Sequence, residues 1–246
     1  MEHKKSLVFL AALTAICTTS SAVSFLDDFS TDTSANYDGV DTSGSGGSFS
    51  ISGGTMEISP GSSNTHSVFY DVSALFDIGE TLSVDVVSLT STPDFRLSVS
   101  TSPVGPNEFA ADDGVRLKRD QTDGSFLFQA YTNSTTATDT EYHDSLSVSD
   151  GTPFTLYLTR ETDNTFSAAF DAGSGLVQLN TTGGTEKEIL SAGDTGNGLL
   201  YIGVEAYNQT SGASATIDNL RITAVPEAAT GLLIGLSGLA LLRRRR

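Results

Sequence analysis

The 246-residue chain has one cysteine, no tryptophan and only three histidines. Cys17 lies in a segment that leaves the mature protein on the reading below, so the body has no disulfide, no thiol nucleophile and no thiolate zinc site. Without Trp, the strongest stacking platform for a sugar ring is missing. Positive charge is scarce too. The chain has 13 Lys+Arg against 30 Asp+Glu, a net charge of −17, and six of the 13 sit at its two ends. The 204 residues from Val23 to Pro226 carry seven basic and 28 acidic side chains, a net charge of −21. Such a surface repels phosphate backbones and anionic headgroups, which excludes nucleic acid and peripheral attachment to anionic membranes. Helical periodicity is absent as well: no ten-residue stretch between Phe25 and Val225 shows it.

What is present begins with an export signal. Residues 1–22 run from a basic start (Lys4, Lys5) through an apolar run, Leu7–Ile16, to the small residues Ser20, Ser21 and Ala22. This is the three-part layout of a secretory signal peptide cut after Ala22, and the run is too short for a permanent span. It implies export machinery and a signal peptidase as transient partners.

At the other end, Val225, Pro226 and Glu227 precede 15 uncharged residues (228–242), and Arg243, Arg244, Arg245 and Arg246 close the chain. As a helix the 15 residues reach about 22 Å, short of a hydrocarbon core of about 30 Å, so the span leans on its flanks. The arginines hold that end in the cytoplasm, and the body lies on the far side of the membrane. This tail resembles the PEP-CTERM sorting signal of Gram-negative bacteria, departing from it in one place, where Ala228 replaces the second proline. The resemblance implies recognition and cleavage by an exosortase, then delivery to the cell surface or the extracellular polymer.

Residues 23–224 form one domain with no internal linker. Short runs rich in Val, Thr, Phe and Tyr alternate apolar with polar residues: Phe49–Ser52, Thr55–Ser59, Ser67–Tyr70, Thr81–Val87, Phe95–Val99 and Val115–Lys118 in the first half. Ser125–Tyr131, Phe154–Arg160, Thr165–Phe170, Leu176–Leu179, Leu199–Val204 and Ala215–Ile222 follow. Turn signals such as Asp123-Gly124 and Asp150-Gly151 separate them. About twelve strands of this kind predict an all-β antiparallel sandwich. Asp27-Asp28-Phe29 at the start, Thr152–Arg160 with Thr165–Phe170 in the middle, and Ile217–Ile222 at the end resemble the concanavalin A-like lectin/glucanase jelly roll.

Chemistry is harder to find. The glucanase branch of that superfamily carries Glu-x-Asp-x-x-Glu on one strand, and no such triplet occurs here; Glu186 and Glu188 share a face without a third acid. The densest titratable cluster is Asp139, Glu141 and His143, which alternate onto one face if extended. Tyr131 and Tyr142 frame it as exposed candidates for sugar stacking, whereas Tyr157 and Tyr201 read as core. Thr132–Asp139 before the cluster also reads as loop or edge, where the same acids are simply hydrated. In a jelly roll the first and last strands are neighbours, which brings Asp27 and Asp28 toward Asp218 and Asn219. Those oxygens suit Ca²⁺, the one cofactor the residues suggest, and equally suit ordinary turn caps. The reading is an exported, non-catalytic surface or matrix protein that binds glycan weakly; the alternative is a glycoside hydrolase or lyase on the same scaffold.

Overall fold

Alternating apolar and polar residues specify strands with one face toward a shared core, and the chain folds as that pattern demands. The computed structural model describes residues 23–41, 46–61, 64–72, 76–102, 113–132, 135–140, 147–180, 186–193, 200–208 and 212–224. The expected signal peptide, the Pro-Glu tail with its helix and arginines, and Glu141, Tyr142 and His143 lie outside these residues. Among the described residues no helix is long and apolar enough to cross a membrane.

The first strands are β1 (Val23–Asp27), β2 (Asp38–Asp41), β3 (Ser48–Ser52), β4 (Thr55–Ser59), β5 (Asn64–Asp71) and β6 (Glu80–Thr90). Then come β7 (Asp94–Ser100), β8 (Gly114–Arg119), β9 (Phe126–Thr132), β10 (Thr135–Thr140) and β11 (Phe154–Arg160). The series closes with β12 (Thr165–Asp171), β13 (Val177–Gln178), β14 (Leu190–Ser191), β15 (Tyr201–Asn208) and β16 (Ser214–Ala224). A single 3₁₀ turn, Ser34–Asn36, is the only helical element among the described residues.

Two antiparallel sheets result. One runs β13-β12-β11-β6-β16-β4-β3, with β1 added to β16 and β14 to β12. The other runs β10-β9-β8-β7-β15-β5-β2. Leu82, Val84, Val86, Leu156 and Leu158 from the first face Leu97, Val99, Leu117, Phe128 and Val204 from the second. Phe126 stacks on Phe170 at 3.9 Å and meets Phe154 edge-on at 5.6 Å. All the described strands and this core lie within Ala22–Val225, so that unit holds what it needs to fold alone.

The first and last strands do pair: Val23 lies opposite Thr223 and Asp27 opposite Leu220. One edge of β16 is shared, with β4 against Ala215–Ile217 and β1 against the stretch from Leu220 to Thr223. Between the two partners the ladder to β6 skips at Asp218–Arg221, and Asn219 takes φ 50°. A bulge with an asparagine in the left-handed region is the expected device for re-aiming a strand.

The two outer faces differ. On β11 burial alternates residue by residue, and Thr159, Tyr157 and Thr155 are half-buried on the outside. Every residue of β7 is buried on both faces, as are nearly all of β8 and β9. The second sheet therefore has a covered outer face, and Asp94, Arg96, Arg116, Lys118 and Glu205 lie there.

Candidate functional site

Four of the body's seven basic side chains, Arg96, Arg116, Lys118 and Arg119, lie on β7 and β8. In-register pairing explains how they gather. Glu205 of β15 lies opposite Arg96 of β7, and Arg96 opposite Lys118 of β8. One step along, Gly203, Ser98, Arg116 and Gln129 form the next row, and backbone pairing extends it to Asp139 on β10. Because strand side chains alternate, Glu205, Arg96, Lys118, Ser98, Arg116 and Gln129 point away from the core, whereas Arg119 lies in the row of Phe95 and Phe126.

Arg96 is the hub. One guanidinium nitrogen lies 3.3 Å from Asp94 and another 3.5 Å from Glu205. Its plane also sits over the Tyr207 ring, 5.1 Å from the centroid. Glu205 is fully buried and accepts a hydrogen bond from Ser98 Oγ at 3.1 Å. Lys118 reaches Asp120 at 2.8 Å and Asp94 at 3.7 Å. Burial opposes the charge on Arg96, but the attraction of Glu205 and Asp94 outweighs it and raises its pKa above the ordinary arginine value. Arg116 has the opposite balance: burial, then repulsion from Arg96, lowers its pKa. Arg116 Nε donates to Gln129 Oε1 at 2.6 Å, and its guanidinium lies 4.9 Å from the Tyr131 ring centroid. Tyr131 in turn donates to Gln129 at 3.2 Å.

Gly203 shows how tightly this face is filled, since a Cβ there would lie 2.5 Å from Ser98 Oγ and 2.6 Å from Phe69. Among the described residues the face is a dense lattice of charge-assisted hydrogen bonds and cation–π stacks, in which Asp94 and Glu205 share one cation.

The sequence-based candidates fall in several places. Tyr131 is not an exposed platform. It is 1 % exposed, in β9, because β9 is covered on both faces and Arg116 stacks on its ring. Tyr157 and Tyr201 are half-buried on outer faces rather than in the core, since Leu156, Leu158 and Ile202 take the inward positions. Thr135–Thr140 is the edge strand of the second sheet and carries Asp139. His66 is buried on β5 and stacks on Phe49 at 6.2 Å.

The calcium set is only partly assembled. Asp27 Oδ1 accepts from Phe29 N at 2.9 Å, and Oδ2 accepts from Thr33 Oγ1 at 2.8 Å and Tyr37 Oη at 2.7 Å. Asp28 caps Ser30 N in an exposed turn, and Asp218 Oδ1 accepts from Asn219 N inside the bulge. Each carboxylate thus has a local protein donor. Among the described residues no group of three or more His, Cys, Asp or Glu is placed to hold a metal ion.

No protein-family model matches the chain, and no curated protein matches it. Solved structures do. The catalytic domain of an endo-1,3-β-glucanase (laminarinase) from Thermotoga petrophila is 8% identical, with a TM-score of 0.56 covering 85% of this chain and 99% of that one. A Bacillus subtilis protein of unknown function with a galectin-like fold is 9% identical, with a TM-score of 0.52 over 82% of this chain and 96% of that one. A lectin from Bauhinia forficata in complex with GalNAc is 11% identical, with a TM-score of 0.50 over 83% and 98%. At such identities the likeness speaks for architecture alone, and the chain has the concanavalin A-like, galectin-like β-sandwich fold that lectins and glucanases share.

Proposed function

We propose that the chain is an exported, non-catalytic protein of the cell surface or extracellular matrix of a Gram-negative bacterium, with weak glycan binding by its sandwich. The observation that carries the non-catalytic part is the sharing of Arg96 by Asp94 and Glu205, at 3.3 and 3.5 Å. A glycosidase needs one carboxyl that carries a proton and a second that is free to attack or to activate water. Here the two buried carboxylates of the charged face are tied to one guanidinium between them. The address in this reading comes from the sequence of the termini: residues 1–22 start export, the apolar segment 228–242 holds the body at the inner membrane, and an exosortase cuts near Pro226-Glu227.

Residues 23–224, purified and applied to a glycan array, should bind at least one extracellular polysaccharide. Incubated with β-glucans, agar-type galactans and fucans, they should release no reducing ends above buffer. Release that Glu205→Gln abolishes would replace this reading with the polysaccharide-processing alternative. Mass spectrometry of surface-released protein tests the address, because a C-terminal peptide ending in Arg246 would make the tail a permanent anchor.

A further inference from the structure

At the end of the sandwich where β6 hands over to β7, three short segments enclose an open cavity of about 330 Å³. Its walls are Thr92, the β8–β9 hairpin from Gln121 to Gly124, and the stretch from Ser147 to Asp150; Arg119 is its floor.

The walls are fastened to one another. Arg119 is almost completely buried, and its nitrogens donate to Val148 O at 2.7 and 3.3 Å, Pro93 O at 3.4 Å and Asp150 Oδ1 at 3.1 Å. Asp150 Oδ2 accepts from Thr92 N at 2.9 Å, holding a turn in which Ser91 and Thr92 both have positive φ. Gly124 O accepts from Val148 N at 3.1 Å. A cavity built this way is formed before any ligand arrives, so little ordering opposes binding.

Its chemistry selects the ligand. Arg119 spends its donors on the protein, which leaves a lining of hydroxyls, the Gln121 amide, carbonyls, and the carboxylates of Asp123 and Asp150. That lining favours a ligand that brings O–H donors. Two aspartates at the rim repel anions. Among the described lining residues none is aromatic, so recognition there rests on hydrogen bonding rather than flat stacking. The volume lies at the lower end of the range for small-molecule sites and suits one unit rather than a chain. A bare cation is poorly served, because both oxygens of Asp150 already accept protein hydrogen bonds.

We propose that this cavity binds a single neutral sugar unit of a glycan; the inference rests on the glycan-binding reading above and gives it a seat.

The test is protein-observed NMR of ¹⁵N-labelled residues 23–224 titrated with the methyl glycosides of glucose, galactose, mannose and fucose, with glucuronate as the charged control. At least one neutral glycoside should give saturable shifts at the amides of Thr92, Gln121, Gly124 and Ser149. Glucuronate should bind about tenfold more weakly. Gln121→Ala removes a side-chain partner and Ser147→Trp fills the space; each should raise Kd by about tenfold while leaving the rest of the spectrum in place. Three results overturn the site: no shifts at these amides with any neutral glycoside, an unchanged Kd in both variants, or binding that EDTA abolishes. If the glycan array is positive in the same preparation, only the site falls. If the array is also blank, the glycan-binding reading falls with it.

Discussion

Replacing Asp27 by alanine removes the acceptor for three donors at once, and its cost can be worked out from what each donor becomes. Tyr37 Oη and Phe29 N are buried, and each orphaned donor costs about 1–3 kcal/mol. Burial, then the carboxylate of Asp27, pushes the Tyr37 pKa far up, so the hydroxyl stays a donor at every working pH. Thr33 is half-buried, and its hydroxyl returns to water at little cost. The expected loss for Asp27→Ala is about 3–5 kcal/mol, which for a body of this size lowers Tm by on the order of 10 °C. Tyr37→Phe takes donor and demand away together and should cost only about 1 kcal/mol. In the Asp27→Ala background it should be neutral or stabilising, a coupling of about 1–2 kcal/mol. Thermal unfolding followed by circular dichroism, in EDTA and in millimolar calcium, reads all of this. A folded-state calcium ion at a hundred times its Kd would add about 2.7 kcal/mol. With Asp27 already occupied by protein donors, we expect no such gain. A calcium-dependent rise in Tm that vanishes in Asp27→Ala, or a loss below about 1 kcal/mol, would refute the reasoning.

Three further outcomes are expected. Partial burial pushes the Asp120 pKa up, but hydrogen bonds from Lys118 and Thr122 outweigh this and lower it from 3.8 to about 2. Its stabilisation is therefore complete above the unfolded value and lost as pH falls from about 3.8 to about 2, so Asp120→Asn should flatten Tm against pH in that window, and added salt should shrink the difference. Gly124 and Gly151 have φ of 76° and 77°, yet a Cβ on Gly124 would lie 2.5 Å from Val148 O while one on Gly151 meets nothing within 4 Å. Urea unfolding should give about 1–2 kcal/mol for Gly151→Ala and at least about 1 kcal/mol more for Gly124→Ala; equal costs would mean that the contact yields freely. Glu205→Ala leaves Arg96 with half its compensation and should cost about 3 kcal/mol, whereas Glu205→Gln, which keeps an acceptor for Ser98, should cost clearly less.

The strands were largely legible because one face of each is apolar. Thr55–Ser59 and Phe154–Arg160 coincide with β4 and β11 to the residue, and the other ten runs fall on strands with ends displaced by a few positions. The short pieces β1, β2 and β14 fell outside the twelve runs, and β10, whose Thr-Thr-Ala-Thr-Asp-Thr has no alternation to read, was legible only as loop or edge. The charged face was hidden for a different reason. In Asp94–Ser100 the inward set Phe95, Leu97 and Val99 is plain, but Arg96 and Ser98 look like any solvated side. Whether a polar face is wet or covered depends on segments distant in sequence, which periodicity does not record. One local signal did exist: four of the seven scarce cations fall between Arg96 and Arg119.

The pairing of β1 with β16 sets the orientation of whatever the body carries. Val23 lies opposite Thr223, and Ala224 lies opposite Glu80, so the chain enters and leaves the sandwich at one pole. From Glu80, β6 runs eleven residues to Thr90, about 35 Å at about 3.3 Å per residue, and Thr92 at the rim of the cavity lies just beyond. The cavity rim therefore lies at the pole of the sandwich opposite the one where Val23 enters and Ala224 leaves. Wherever several such bodies are tethered side by side, contacts at that rim too weak to matter singly would add up across the array.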